Sequence, residues 1–297
     1  MDKRELFAKA RLCGAMAIFG TIGIFVKYLT LPSGFLVFLR ASIGFLFLLP
    51  FVFFRKNKNT LRSIKKNLIP LILSGAALGA NWVLLFEAYR YTDVSIATLC
   101  YYLAPVFIVA FSPLILKESL NGQKIVGILI AISGMVLVSG VFSGVKSANP
   151  TGIFLGIMAA VLYATVVFIN KGIQEVDSYD KTAFQFAISL IITLPYSLFT
   201  EKLSSDMFDL RSIILILVVG IVHTGVAYIM YFSSLKEVKA HAAAIFSYID
   251  PILALILSFL ILKETMGVLE AVGAVLVLSG AFLSEIRLKK PDQSSDK

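Results

Sequence analysis

The chain has 297 residues, of which 58% are hydrophobic and only 15% charged, with a formal net charge of +9. That much apolar surface exceeds what one soluble core needs and reads as an integral membrane protein. The positive balance is accounted for by loop topology below, so nucleic acid is not an expected partner.

Apolar stretches of the roughly 20 residues that a spanning helix requires occur near 12–30, 34–54, 68–88, 94–116, 124–142, 152–171, 182–199, 212–233, 240–262 and 267–286. The expected fold is therefore all-α and integral to the membrane, with ten transmembrane helices. The apolar run that follows the charged start MDKRELFAKAR lacks a convincing small-residue cleavage site, so the first helix is expected to be retained. The loops facing one side hold 20 Lys and Arg residues and those facing the other hold six, which predicts that both termini are cytoplasmic. Cys13 and Cys100 sit in separate apolar segments without metal-ligand spacing, so they read as small buried side chains, and no cofactor or metal is expected.

Residues 101–134 and 247–280 align without a gap at an offset of 146 residues. Tyr102 falls on Tyr248, Pro105 on Pro251, Lys117-Glu118 on Lys263-Glu264, Gly127 on Gly273 and Gly134 on Gly280. Weaker matches upstream place Pro50 on Pro195, Arg40 on Gln185 and Phe86 on Phe232. The chain thus divides into a five-helix unit over 1–142, a linker at 143–150, a second unit over 151–286 and a tail at 287–297. Because five is odd, the second copy enters the membrane from the opposite face and the pair forms two inverted five-helix repeats. Secondary transporters use that arrangement, with the site near the midplane between the halves.

A Pro-bearing helix, a Glu at the following turn, and Gly nine and sixteen residues beyond it occur twice (Glu118, Gly127, Gly134; Glu264, Gly273, Gly280). This pattern resembles the paired EamA domains of the drug/metabolite transporter superfamily. The resemblance covers nearly the whole chain. It implies a carrier in the bacterial inner (plasma) membrane with a central cavity and alternating access, a monomer or homodimer whose partners are a small-molecule solute and the lipid bilayer. Family members export amino acids, other metabolites or toxic compounds, and some import.

Asp250 lies near the middle of its apolar run, where an ionisable side chain marks a functional candidate. Ala243, Ser247, Asp250, Ala254 and Ser258 share a face that is expected to look into the bundle. His223 sits at a similar depth on the preceding helix, and an acid and an imidazole at one depth suit a proton relay. Arg40, in the second helix, is expected to snorkel or to pair with Glu87, its alternative being a two-pronged bond to a substrate carboxylate. Asn81, Trp82, Tyr101, Tyr102, Tyr163, Asn170, Gln185, Tyr228, Tyr231, Ser247 and Tyr248 complete the candidate lining for a substrate or a proton. Pro105 and Pro251 are the candidate hinges, since each removes a helical N–H. Glu118 and Glu264, with Ser119 and Thr265, are expected to cap the helices that follow them or to brace those turns.

Taken together with the resemblance, which implies export, these residues lead to the expectation of a secondary active transporter for a small metabolite such as an amino acid, with protons as a candidate coupling partner. The alternative is a lipid flippase or a non-transporting scaffold. No enzyme is expected: a membrane aspartyl protease needs a second facing acid, and Ser247, Ser189 and His223 lack a nucleophile elbow. The chain also has no phosphate-binding loop for ATP.

Overall fold

The computed structural model describes residues 3–54, 60–117, 120–138, 149–235, 237–238 and 246–285. Within them, α1 spans Lys3–Lys27, α2 Ser33–Phe54, the short α3 Thr60–Lys66, α4 Leu68–Tyr91, α5 Val94–Tyr101, α6 Ala104–Ile115, α7 Gly122–Val138, α8 Pro150–Gly172 and α9 Ser178–Thr200. We number as α10 the helical run over residues 210–235, as α11 Ile249–Leu262 and as α12 Val268–Glu285. No strand occurs among the described residues. Seven helical stretches are long and apolar enough to cross a membrane, and three shorter apolar ones, Gly122–Val138, Ile249–Leu262 and Val268–Ser284, accompany them. Glu118, Ser119, Ala243 and most of the linker and tail lie outside the described residues.

The packing is paired in a way the repeat demands. α2 lies on α9 and α7 on α12, each helix against its own equivalent in the other half. The contacts of α1 with α10 and α11 are mirrored by those of α8 with α4 and with α5 and α6. The glycines of the repeated motif explain the α7–α12 contact. A Cβ on Gly134 would lie 2.6 Å from the carbonyl of Gly273, and one on Gly127 would lie 2.7 Å from the carbonyl of Gly280. Each motif glycine therefore meets a motif glycine of the other copy, and the two helices cross antiparallel with their backbones in contact. Gly75 and Gly79 do the same for α4 on α9, against Gln185, Ile188 and Ser189.

Two apolar runs that read as single helices are interrupted. Residues 94–115 break at Tyr102 and Leu103, and the equivalent run breaks at Tyr248. Pro105 and Pro251 thus stand in the first turn of a new helical segment, where the missing N–H is cheapest, instead of kinking a continuous one. α10 is interrupted differently: residues Val218–Val226 wind as a π-helix, and α11 ends in a π turn at Ser258–Leu262. In both halves the Lys of the Lys-Glu motif takes the left-handed conformation, with φ 56° at Lys117 and 58° at Lys263, and so ends its helix.

Candidate functional site

The two interrupted helices and α1 surround a cavity of about 410 Å³. Its wall combines Arg40 from α2, Trp82, Phe86 and Tyr89 from α4, and Thr98, Tyr101, Tyr102 and Pro105 around the first break. Tyr163 of α8, Tyr228 and Tyr231 of α10, and Ser247, Asp250 and Ala254 at the second break close it. Gly20 and Gly23 of α1 leave room for this arrangement: a Cβ on Gly20 would stand 2.5 Å from the Asp250 carbonyl.

Two ionisable groups of opposite sign face this space. The Tyr102 hydroxyl lies within reach of the Asp250 carboxylate, so each interrupted helix supplies one of the two groups. Arg40 is only 4% exposed and its Nε donates to the Thr224 hydroxyl at 2.8 Å. The guanidinium carbon lies over Trp82 at 4.1 Å from its ring centre and over Phe86 at 5.5 Å, within cation–π range of both. Among the described residues its two terminal nitrogens have no protein acceptor. Edge-to-face pairs complete the walls, Tyr101 with Tyr102 at 6.1 Å, Tyr101 with Tyr163 at 5.6 Å and Phe19 with Tyr228 at 5.3 Å.

The expectation that Arg40 snorkels or pairs with Glu87 is therefore corrected. Glu87 accepts from Ser33 at 2.6 Å and lies 3.5 Å from Arg90, while Arg40 points inward because Thr224 and two aromatic faces satisfy it there. Of the sequence candidates, Asp250, Arg40, Trp82, Tyr101, Tyr102, Tyr163, Tyr228, Tyr231, Ser247 and Pro105 line the cavity. Asn81, Gln185, Tyr248, His223, Asn170 and Pro251 do not. Asn81 gives its amide to the Ala159 carbonyl at 2.5 Å, and Gln185 bonds Ser74 at 2.7 Å and Asn170 at 2.8 Å, so both join helices instead of facing a solute. Tyr248 packs edge-on to Phe282 at 5.3 Å. His223 and Asp250 do not touch: Gly20 abuts Asp250 and Thr21 bonds His223, about 100° apart around α1. Phe19, Phe86, Tyr89, Thr98 and Thr224 are site residues that sequence reasoning missed.

One end of the bundle, marked by Lys27, is tied across the halves. Glu264 accepts from the amides of Val94 at 2.8 Å and Ser95 at 3.1 Å and from the Ser95 hydroxyl at 2.9 Å. It thus caps α5 of the other half and not the helix that follows it, because the left-handed Lys263 turns it away. The last helix is served instead by Glu270, which accepts from the Gly267 amide at 2.7 Å. Glu201 likewise accepts from the amides of Gly34 and Phe35 at the start of α2. Lys27 donates to the carbonyls of Tyr89 at 2.8 Å and Thr92 at 3.3 Å, so the turn between α4 and α5 is held at both polarities. Asp93 lies in that turn. Burial raises its carboxyl above the usual range, Glu264 adds to the effect and Lys27 opposes it.

A doubled helical unit with a shared, charged, aromatic cavity can be compared with known proteins. The EamA-like transporter family model matches residues 8–140 and again residues 150–286. The chain belongs to the EamA-like transporter family. As a member of the drug/metabolite transporter superfamily it is a multi-pass membrane protein. It is 29% identical over 289 residues to an uncharacterized transporter, YxxF, of Bacillus subtilis, covering 96% of this chain and 92% of that one. An uncharacterized transporter of Clostridium kluyveri is 30% identical over 254 residues, covering 84% and 82%. A solved crystal structure shares the fold of this EamA-like chain with a TM-score of 0.67 at 18% identity, over 94% of this chain and 96% of the other.

Proposed function

We propose that this EamA-like transporter is a secondary carrier that moves a small, part-apolar solute, in the first instance an amino acid, out of the cell by alternating access. Ten spans in two inverted five-helix halves, with both termini cytoplasmic in a bacterial plasma membrane, form the frame of this reading. The mirrored helix contacts and the excess of Lys and Arg on one side support it.

The observation that carries the reading is the placement of Arg40 and Asp250 on the walls of one aromatic cavity between the halves. A guanidinium with free terminal nitrogens suits a carboxylate, a carboxylate near the second break suits an ammonium or a proton, and the rings suit an apolar body. The chain is read as non-enzymatic, with solute or ion gradients as the energy source. A lipid flippase or a scaffold without transport remains the competing reading.

Counterflow in proteoliposomes tests this. Vesicles are loaded with single unlabelled amino acids or organic acids, and uptake of the labelled partner is followed for wild type and Asp250→Asn at two pH values. Stimulated uptake of one class, reduced at least tenfold in the variant, is the expected result. Absence of exchange for every solute, from folded protein, would favour the flippase or scaffold.

A further inference from the structure

His223 lies off the cavity, on the π-wound part of α10, and is 1% exposed. Its Nδ1 is 3.3 Å from the Val218 carbonyl, five residues back, a contact that the π turn makes possible. A carbonyl only accepts, so this nitrogen carries a proton. Its Nε2 is 2.8 Å from the Thr21 hydroxyl on α1, and that hydroxyl is also 2.7 Å from the Ile18 carbonyl.

Thr21 therefore has one proton and two places to put it. Turned toward Nε2, it donates and leaves a neutral imidazole with both nitrogens bonded. Turned toward Ile18, it presents a lone pair to Nε2–H, and the imidazolium is equally well bonded. A histidine between two fixed acceptors, or between a donor and an acceptor, is committed to one charge state. Here the rotation of a single hydroxyl satisfies both.

The electrostatic surroundings connect this ring to the cavity. α1 presents Thr21 and the ring of Phe25, 4.8 Å away, and no ionised group; its Lys27 is occupied by the carbonyls of Tyr89 and Thr92. Asp250, on α11, lies against Gly20 on a different side of α1 from the Thr21 that meets His223. α2 presents Arg40, whose guanidinium is anchored on Thr224, the residue next to His223. Thr224 in turn passes its own proton to the Val219 carbonyl at 3.0 Å. One π turn thus holds the imidazole and the guanidinium together.

We propose that His223 is the proton-binding site of the carrier, with Thr21 as its rotor, and that its occupancy is coupled to an anionic group of the solute seated on Arg40. The coupling rests on the carrier reading of the cavity. The sign follows from like charges: an anion on Arg40 removes the repulsion that opposes an imidazolium, and a proton on His223 strengthens the hold on the anion by the same factor. Solute and proton then share one conformational cycle and move in the same direction. Under this scheme export is driven by the solute's own gradient, steeper than the opposing proton gradient.

The chain has two histidines, so His241→Gln leaves His223 as the sole imidazole. The full-length protein in lipid nanodiscs, with ¹⁵N-labelled histidine, is titrated from about pH 3 to pH 8 and its nitrogen shifts report tautomer and charge. The neutral ring is expected to carry its proton on Nδ1, and imidazolium to appear within the range. Arg40→Gln should raise the ratio of charged to neutral ring at a fixed pH severalfold, and Arg40→Lys should leave it near wild type. Thr21→Val should lower the ratio, and Thr21→Ser should restore it. A neutral ring protonated on Nε2, a ring that stays neutral throughout in both wild type and Arg40→Gln, or a ratio indifferent to Arg40→Gln would overturn the proposal. None of these readings needs transport, so failure of counterflow leaves them intact.

Discussion

Single side chains at the Lys27 end hold positions that are sensitive to charge. Glu264 satisfies two helix-terminal amides and a hydroxyl with one carboxylate. Glu264→Ala leaves those donors without an acceptor, and a loss of about 1–3 kcal/mol is expected, measured as a fall in the thermal midpoint in detergent. Glu264→Gln, which keeps one acceptor oxygen, is expected to lose less. Asp93 gives a pH dependence of definite sign. Its carboxyl is held above the usual range by burial and by Glu264, so the folded chain binds a proton there more readily than the unfolded one. The penalty is absent when both states are protonated, and it grows as pH rises from the ordinary carboxylate range through the raised value. The wild-type midpoint should therefore improve on acidification across that window relative to Asp93→Asn, and parallel curves for the two proteins would refute the assignment.

Between elements, the α7–α12 contact is the most exacting, because backbone meets backbone at both glycine pairs. Gly134→Val places a branched Cβ 2.6 Å from the Gly273 carbonyl, and overpacking of this kind costs about 1–3 kcal/mol; Gly122→Ala, on the same helix with open space around it, is expected to be neutral. The midpoints of the two variants, compared side by side, check this. The glycine pattern was legible in the sequence because it is written twice at one offset. What each glycine touches was not, since an offset says which residues are equivalent and nothing about which are neighbours. Asp250 was legible for another reason: an ionisable group in the middle of an apolar run has few structural uses. The burial of Arg40 was hidden because its partners Thr224 and Trp82 lie on other helices, and Glu264 was assigned to the wrong helix because its acceptor role spans 170 residues. Polar residues spaced along one helix face, such as Gln185 and Ser189, did not reveal whether that face meets a cavity or another helix. Here it meets α4.

For the whole molecule, the cavity belongs to neither half alone: Arg40, Trp82 and Tyr102 come from the first and Asp250, Tyr163 and Tyr228 from the second. Tyr102→Phe removes the hydroxyl within reach of Asp250 while keeping the ring, and its expected effect is a severalfold change in solute affinity with little change in stability. Counterflow at graded solute concentrations and a thermal scan separate the two. If the carrier alternates by opening its Lys27 end between the halves, the contact of Glu264 with the α4–α5 turn, which Lys27 also holds, is the one expected to break. A cysteine at Thr98 should then react faster with a water-soluble thiol reagent in the Lys27→Gln, Glu264→Gln double variant than in the otherwise intact chain, and equal rates would show that these contacts do not close that end.

The antiparallel seam between α7 and α12 has a further consequence. Since Gly127 faces Gly280 and Gly134 faces Gly273, each helix presents its partner with what amounts to its own image turned upside down. A polypeptide ending after α7 would already carry a surface suited to a second copy of itself inserted the other way up. Joining two such copies in one chain frees each to drift in sequence, and the acid at position 250 opposite alanine at 104 is the kind of asymmetry that a self-paired ancestor could not have kept on one side only.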